Sequence, residues 1–393
     1  MSSKNTNSNI DYSLIFIVLL LAIVSCFTLY TLGNYLPEKY SNTNFMLQQI
    51  KWYIVGSMAI VVIMFIDYDR LRQVVWILYG IGIILLTMLF FHFPPGIAKE
   101  VNGAWGWFNI PGLGTMQPAE FMKIFLIIAL AQILVSHEER FKNRTNKSDI
   151  WLLAKIMIIS LPPMGLIAVQ PDLGSFLVLA FITFCMILVS GIRWRVILTL
   201  VGFSIIMVGT VVLLYVYNPE VVDNFTEDFG FEHVESRFQG WLDPYEYGKS
   251  GGYQLIRAMM SIGSGQLFGK GIQGFEVPNI PERHTDMIFT AIAEQFGFIG
   301  ASFVITLLFL LIYRLIHIAL RSNDQFGSFL VSGMIGMFTF QIFQNIGMSV
   351  QLLPITGLPL PFVSYGGSSI LTYLIAIGIV LNINYRTKEY MFD

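Results

Sequence analysis

A short run of polar residues, Pro-Glu-Arg-His-Thr-Asp, precedes the point at which the chain returns to apolar sequence at Met287. Its last carboxylate, Asp286, stands where a polar loop re-enters hydrocarbon, a costly position that usually serves a function. Asp286 could act as a general base, or it could only stabilise the N-terminus of the next helix. Glu282 and Arg283 add a second carboxylate and a cation to the same corner. We predict that Asp286 is the centre of the chemistry.

A second ionisable group opens the fourth apolar segment, in the string Gln117-Pro-Ala-Glu-Phe-Met-Lys123. Proline suits the first turn of a helix. Glu120 and Lys123 are three residues apart, so their side chains share one helix face and can pair. They could serve the helix alone, Glu120 through the dipole and Lys123 as its counter-ion. A lysine one turn into hydrocarbon nevertheless predicts a polar cavity around it.

Two further polar segments interrupt the apolar runs. Asp172 lies at a tight turn in Gln-Pro-Asp-Leu-Gly, where a helix cap explains it as well as catalysis does. Residues 358–369 combine prolines, Ser364, a Gly-Gly pair and Ser368, so the proline end cannot be a regular helix. Such backbone is tolerated at membrane depth only when it is buried in protein or lines a cavity. The segment could be only a packed re-entrant turn, or it could be part of a site, and in either case we expect a cavity beside it.

The composition defines the class of protein that positions these groups. Of the 393 residues, 55% are hydrophobic and 12% are charged, whereas a soluble domain has roughly 25% charged residues. The chain is therefore predicted to be an integral membrane protein. A net charge of −2 without a basic block argues against nucleic acid as a partner. Cys26 and Cys185 fall inside apolar runs and indicate neither a disulfide framework nor a metal cluster.

Ten apolar stretches approach the roughly 20 residues that a helix needs to cross a bilayer. We expect an all-α fold, a single multi-pass membrane domain over residues 1–393. The predicted spans start near Tyr12, Trp52, Val74, Ala119, Trp151, Gly174, Val196, Met287, Gly327 and Ile370.

The basic residues predict the orientation of the spans. They concentrate in one set of connections, and the short loops opposite hold only Lys39, Lys51 and Lys99. By the positive-inside rule, both termini are cytoplasmic. The outer loops are then 94–118, 171–173, 218–286 and 347–369. Within the largest of these, apolar residues recur with helical spacing between Tyr253 and Ile262, which predicts a short amphipathic helix at the membrane surface.

Five motifs in order resemble the SEDS family (shape, elongation, division and sporulation), and the likeness is greatest to its rod-shape members. The resemblance spans nearly the whole chain. Its strings are NGAWGWF at 102–108, QPAEFMK at 117–123, QPDLGS at 170–175, PERHTDMIFTAIAEQFGFIG at 281–300 and NIGMSVQLLPITGLPLPFVSYGGSS at 345–369.

The resemblance implies a peptidoglycan glycosyltransferase of the bacterial cytoplasmic membrane. Such an enzyme polymerises lipid II on the outer face, here for cell elongation and rod shape. The essential aspartate of the family falls on Asp286. Its Gln-Pro-Ser-Glu-x-x-Lys motif matches Gln117, Glu120 and Lys123, with Ala119 in place of the serine.

Three other positions match the family less completely. The tryptophan of its Arg-Trp signature falls on Trp107, but Gly106 occupies the arginine position, so no role of that arginine transfers. Asp172 and Arg237 also match family positions.

This resemblance gives the polar residues a common chemistry. Converting an α-linked donor into a β-1,4 product requires inversion in one displacement, with one general base beside the acceptor hydroxyl, for which Asp286 is the candidate. Positive charge must stabilise the departing diphosphate. Lys123, Arg237, Arg283 or a divalent cation, Mg²⁺ or Mn²⁺, could supply it, and no other cofactor is expected.

The chain is expected to work with partners, because it contains no transpeptidase domain to cross-link its product. The resemblance points to lipid II as substrate, a class B penicillin-binding protein, the elongation machinery and membrane lipid. Two other classes stay open. A lipid II flippase or transporter would show paired broken helices in two related halves, and a non-catalytic scaffold would tolerate substitution of Asp286.

Overall fold

The structure is a computed structural model that describes residues 10–37, 40, 43–101, 104–110, 114–142, 144–217, 232–248 and 252–387. The helices are α1 (Tyr12–Leu32), α2 (Phe45–Phe65), α3 (Leu71–Phe90), α4 (Pro118–Arg140), α5 (Asn146–Val169), α6 (Leu173–Val189), α7 (Trp194–Tyr217), α8 (Glu232–Leu242), α9 (Tyr253–Gly265), α10 (Ile288–Arg321), α11 (Gln325–Ser349) and α12 (Gly367–Thr387). The strands are β1 (Ala98–Val101), β2 (Ala104–Ile110) and β3 (Gly114–Met116).

The all-α multi-pass fold is confirmed. Nine of the described helices are long and apolar enough to cross a membrane. A further apolar helix, α6, has 17 residues, at the short end of the range of about 17–25 for a span. The largest error in the predicted starts is α2, which begins at Phe45 rather than Trp52. Its first turns look polar in the sequence, but Gln49 is buried and donates to Ser25 Oγ and Ser364 O at 3.0 Å.

The centre of the bundle is built from α4 and α12, which are buried along most of their length. Both carry buried polar groups, such as Glu120 and Lys123 in α4 and Asn382 in α12, as suits helices surrounded by protein rather than by lipid. In contrast, α7 is exposed along most of its described surface. Gly297 bends α10 with φ 61°, and a Cβ added there would lie 2.6 Å from Leu267 O. Glycine therefore allows the loop after α9 to pack into the bend.

The outer loops contain structure that the sequence pattern did not predict. Strands β1, β2 and β3 form an antiparallel sheet in the 94–118 loop, with Lys99 opposite Trp107. The large loop contains α8 as well as the predicted amphipathic helix, which is α9. The residues 218–231 of that loop lie outside the described residues.

Ion pairs define the basic end of the bundle. Arg314 Nε lies 2.7 Å from Asp11 Oδ2, and Arg386 Nη1 lies 3.1 Å from Asp67 Oδ2. Asp11 precedes α1 and Arg386 is in the last turn of α12. Both described ends of the chain therefore lie on the basic side, in agreement with the orientation drawn from the positive-inside rule.

Candidate active site

A cavity of about 1220 Å³ opens at the end of the bundle opposite the basic end. It exceeds the roughly 300–1,000 Å³ of ordinary small-molecule sites. Its walls come from β1, β2, β3, the N-terminal part of α2, the segment before α10 and the segment between α11 and α12. The charged residues that line it are Lys51, Lys99, Glu120, Asp172, Arg237, Glu282 and Asp286.

Several helices direct their N-termini toward this cavity. Gln117 immediately precedes α4, Asp172 caps α6, and Gly366 precedes α12, and all three residues line the cavity. The first N–H groups of a helix lack helical partners and carry partial positive charge. The cavity therefore presents backbone donors to a negatively charged ligand.

Asp286 lines the cavity and is only 7% exposed. It forms no ion pair within the described part of the chain, and its Oδ1 accepts a hydrogen bond of 3.2 Å from Thr285 Oγ1. Burial, followed by the negative charge of Glu282, raises the pKa of Asp286 to about 7, while hydrogen bonds and the Arg237 cation act in the opposite direction. A carboxylate with this pKa can exchange a proton near neutral pH.

The backbone of three consecutive residues is held by α11 and by the segment between α11 and α12. The His284 carbonyl accepts from Tyr365 N at 3.0 Å, and the Thr285 carbonyl accepts from Ser364 Oγ at 2.5 Å. The Asp286 carbonyl accepts from Asn345 Nδ2 at 2.7 Å. Ser364 does not line the cavity. It contributes instead to the position of Asp286.

Asn345 connects the aspartate segment to the loop that faces it. Its Nδ2 donates to Asp286 O and Leu358 O, both at 2.7 Å. We expect Asn345→Ala to lower kcat about 10²-fold, because a shift of roughly 1 Å in a reacting group has an effect of that size. Turnover of purified protein measures this. Ser332→Ala, which removes a hydroxyl bonded only within α11, is the control, and an equal loss there would contradict the positioning role.

The polar residues from the other motifs meet on one wall. Gln117 Nε2 donates to Asp172 Oδ2 at 2.9 Å, and Gln117 N donates to Ser368 Oγ at 3.0 Å. Asp172 Oδ1 accepts from Ser175 N at 2.9 Å. Asp172 is therefore both a helix cap and a cavity residue, so the two alternatives drawn from sequence coexist.

Arg237 of α8 reaches the cavity from the large loop. Its Nη1 lies 3.4 Å from the Ile355 carbonyl. Burial lowers the pKa of Arg237, and the charges of Asp172 and Asp286 raise it. Arg237 thus places a cation near both acids.

Two of the predicted cations are placed elsewhere. Lys123 is fully buried and its Nζ lies 2.7 Å from Glu120 Oε1, so Glu120 separates it from the cavity that Glu120 lines. Arg283 turns away from the cavity and pairs with buried Glu294 behind it. Lys123 and Arg283 are two of the four alternatives for the positive charge on the departing diphosphate. Neither lines the cavity, and each is already paired with a carboxylate.

Trp107 of β2 lines the cavity, as does Lys99 opposite it in β1. Gly106 has open space where a side chain would begin. Sequence reasoning did not select Asn345, Lys51 or Lys99 as site residues. The available signals were an asparagine within an apolar helix and two lysines on the side of the membrane that has few basic residues.

The apolar bundle and its charged cavity define a multi-pass integral membrane protein with a polar site at one membrane face. Residues 11–389 match the family of FtsW, RodA and SpoVE, described as cell cycle protein. The chain belongs to this family, the SEDS family.

Three comparisons illustrate the likeness. A probable peptidoglycan glycosyltransferase FtsW from Trichlorobacter lovleyi is 31% identical over 384 residues, which cover 96% of this chain and 94% of that protein. The structure of the rod shape determining protein RodA from Thermus thermophilus has a TM-score of 0.66 at 28% identity, with 98% of both chains covered.

A third match is a chain from a structure described as structural coordination of polymerization and crosslinking by a peptidoglycan synthase complex. Its TM-score is 0.77 at 28% identity, with 97% of this chain and 99% of that chain covered. The chain described here is a peptidoglycan glycosyltransferase of the SEDS family.

Proposed function

We propose that this enzyme polymerises lipid II into β-1,4-linked glycan on the outer face of a bacterial cytoplasmic membrane, with Asp286 as general base. The observation that carries the proposal is the environment of Asp286. Its carboxylate lines a large cavity, has a pKa of about 7 and forms no ion pair with another described residue. A general base needs this combination of access and basicity.

The proposed step is a single displacement. The 4-hydroxyl of the acceptor N-acetylglucosamine gives its proton to the Asp286 carboxylate. At the same time the oxygen of that hydroxyl forms a bond to C1 of the donor sugar. The bond from C1 to the diphosphate oxygen breaks on the opposite face, so the configuration inverts. The bond's electrons leave with the diphosphate, which departs as an anion without a proton. One carboxylate is therefore sufficient, unlike the carboxylate pair of glycoside hydrolases.

The lipid part of the substrate needs an apolar surface beside the cavity. A groove of about 1290 Å³ runs between α1, α2 and α12 and is lined almost entirely by apolar side chains. Lys51 and Trp52 line the cavity, whereas Ile50 and Tyr53 line the groove. A polyprenyl chain in this groove would keep its head group close to the cavity.

Activity is expected to rise with pH through about 7. Protonated Asp286, dominant below its pKa of about 7, cannot accept a proton, so the rate should fall about tenfold per pH unit below that value. Above it the carboxylate is ionised and the rate should level off. Initial rates of polymerisation between pH 5.5 and 8.5 measure the profile.

Glu282→Gln provides the matched variant for this profile. Glu282 raises the pKa of Asp286 through its negative charge. Its removal should therefore move the inflection to lower pH. An inflection that stays in place, or moves upward, would contradict the assignment of the titrating group to Asp286.

A divalent cation would need help from the substrate to bind here. The described residues contain no group of three or more His, Cys, Asp or Glu side chains that could hold a metal. Mg²⁺ is commonly held by one or two carboxylates together with substrate phosphates. Glu282 and Asp286 could hold Mg²⁺ or Mn²⁺ in this way when a diphosphate is present.

Purified protein in detergent with lipid II tests the function. Glycan formed without a bilayer to cross would exclude a pure flippase, and no glycan under any condition would contradict the polymerase assignment. We infer a class B penicillin-binding protein as partner, a role supported by the likeness to a chain of a peptidoglycan synthase complex. Repeating the reaction with and without that protein measures how far activity depends on the partner. Repeating it with and without Mg²⁺ or Mn²⁺ measures how far activity depends on a divalent cation.

We further infer that the glycan serves cell elongation. The support is the motif resemblance to rod-shape members of the family, while related chains carry both FtsW and RodA names. Expression in a rod-shaped host depleted of its own elongation polymerase should restore rods. Restored growth only in a host depleted of its division polymerase would assign the protein to septation.

A further inference from the structure

Two lysines that depart from the positive-inside rule line the cavity. The short outer loops contain only Lys39, Lys51 and Lys99 as basic residues. Lys39 is outside the described residues, but Lys51 on α2 and Lys99 on β1 both line the cavity. Basic residues on the outer side oppose the usual orientation signal. A lysine on that side beside a polar cavity indicates an anionic ligand.

The balance of charge shows why the cavity needs these lysines. Among the described residues, its carboxylates are Glu120, Asp172, Glu282 and Asp286. Glu120 is already paired with Lys123, so without Lys51 and Lys99 only Arg237 would oppose the other three carboxylates. A diphosphate would then meet a wall of net negative charge, and like charges at close range disfavour binding.

The lysines are also available to a ligand. Neither Lys51 nor Lys99 forms an ion pair with any described residue, whereas Lys123 and Arg283 are each paired with a buried carboxylate. Lys99 lies opposite Trp107 on the antiparallel ladder. Lys51 precedes Trp52, whose ring lies against Gly367 in the first turn of α12. Both lysines are therefore carried by segments whose backbone the packing holds in place, and their exposed side chains can reach a ligand.

We propose that Lys51 and Lys99 bind the diphosphate of a lipid-linked substrate in the cavity. The proposal rests on the proposed function and names which cations meet its substrate. They are positioning residues for this group, and lysine ammonium groups make strong charge-assisted hydrogen bonds to phosphate oxygens. In this chain they take the place of the buried Lys123 and of an arginine that Gly106 cannot supply.

Binding of farnesyl diphosphate to the purified protein tests the proposal without turnover. The test compares Asp286→Asn protein with the triple variant that also carries Lys51→Gln and Lys99→Gln. We expect the Kd to rise on the order of tenfold or more, equivalent to the loss of one good charged contact. The affinity for farnesyl monophosphate, which carries one phosphate group fewer, should fall by a smaller factor. A variant with Lys51→Arg and Lys99→Arg should retain most of the affinity.

Lys270→Gln is the matched control, because Lys270 pairs with Glu276 outside the cavity lining. An unchanged Kd in the triple variant with Lys51→Gln and Lys99→Gln, or an equal change for Lys270→Gln, would overturn the proposal. Because this readout uses inactive protein, it can fail while polymerisation by Asp286 stands, or succeed if Asp286 has another role.

Turnover in the wild-type background then identifies which diphosphate is bound. A higher half-saturating concentration of lipid II with kcat retained assigns the diphosphate of the incoming acceptor, since only ground-state binding is lost. A fall in kcat assigns the departing group of the donor. Either result supports the proposal, and full activity at every lipid II concentration contradicts it.

Discussion

Replacement of Asp286 by Asn is expected to abolish glycan synthesis in a protein that still folds. The amide cannot accept the proton of the acceptor hydroxyl, and loss of general base catalysis typically lowers rates about 10²–10⁴-fold. Folding should be preserved because the carboxylate forms no ion pair with another described residue. Its main backbone contact, Asn345 Nδ2 to the Asp286 carbonyl at 2.7 Å, does not involve the side chain.

Polymerisation of lipid II by purified protein measures this effect, with thermal unfolding as the check on folding. Glu276→Gln is a suitable control, because Glu276 is an outer carboxylate paired with Lys270 and does not line the cavity. It should retain near-normal turnover. Substantial activity in Asp286→Asn would exclude Asp286 as the base and would return the scaffold alternative to consideration.

Replacement of Arg283 by Met is expected to destabilise the protein by about 3–5 kcal/mol, the usual consequence of leaving a buried charge without its partner. Glu294 is fully buried and pairs with the Arg283 guanidinium. Glu294 also accepts from Ser261 Oγ at 2.7 Å, and from the backbone N–H groups of Glu276 and Val277 at 2.7 and 2.9 Å. The pair thus joins α9, α10 and the segment that leads to Asp286.

Thermal or chemical unfolding in detergent measures the loss. Arg257→Met is the matched control, since Arg257 is half-buried on α9, stacks over the Tyr253 ring and donates to the Pro278 carbonyl at 3.0 Å, without an ion pair to another described residue. Its replacement should change stability by only about 1 kcal/mol. Arg283→Lys should fall between the two, because it keeps the charge but not the planar donors. Equal losses at Arg283 and Arg257 would show that the buried pair contributes little.

Much of the fold was predictable because its signals are local. A run of apolar residues near 20 long has few alternatives to a membrane helix. All ten predicted spans are therefore present as helices. The amphipathic helix α9 was predictable for the same reason, since spacing along one helix identifies its apolar face. The small sheet from β1 to β3 was not, because its strands are short and pair across separate turns.

The candidate site was partly predictable. Polar residues at the starts of spans predicted Asp286, Glu120 and Asp172 as candidate site residues, and these three line one cavity. The direction of a side chain depends on neighbours distant in sequence. Arg283 is three residues from Asp286 yet faces the opposite way, because its partner Glu294 lies behind the segment.

The amino-acid sequence by itself determined the membrane class, the number and order of the apolar spans, the side on which the polar loops lie and the family. These properties follow from composition, periodicity and ordered motifs, which need no knowledge of packing. Only the tertiary structure decided which charges meet the cavity. It buried Lys123 and Arg283 against carboxylates and brought Lys51 and Lys99 to the cavity wall, since charge pairing and burial arise only when separate segments come together.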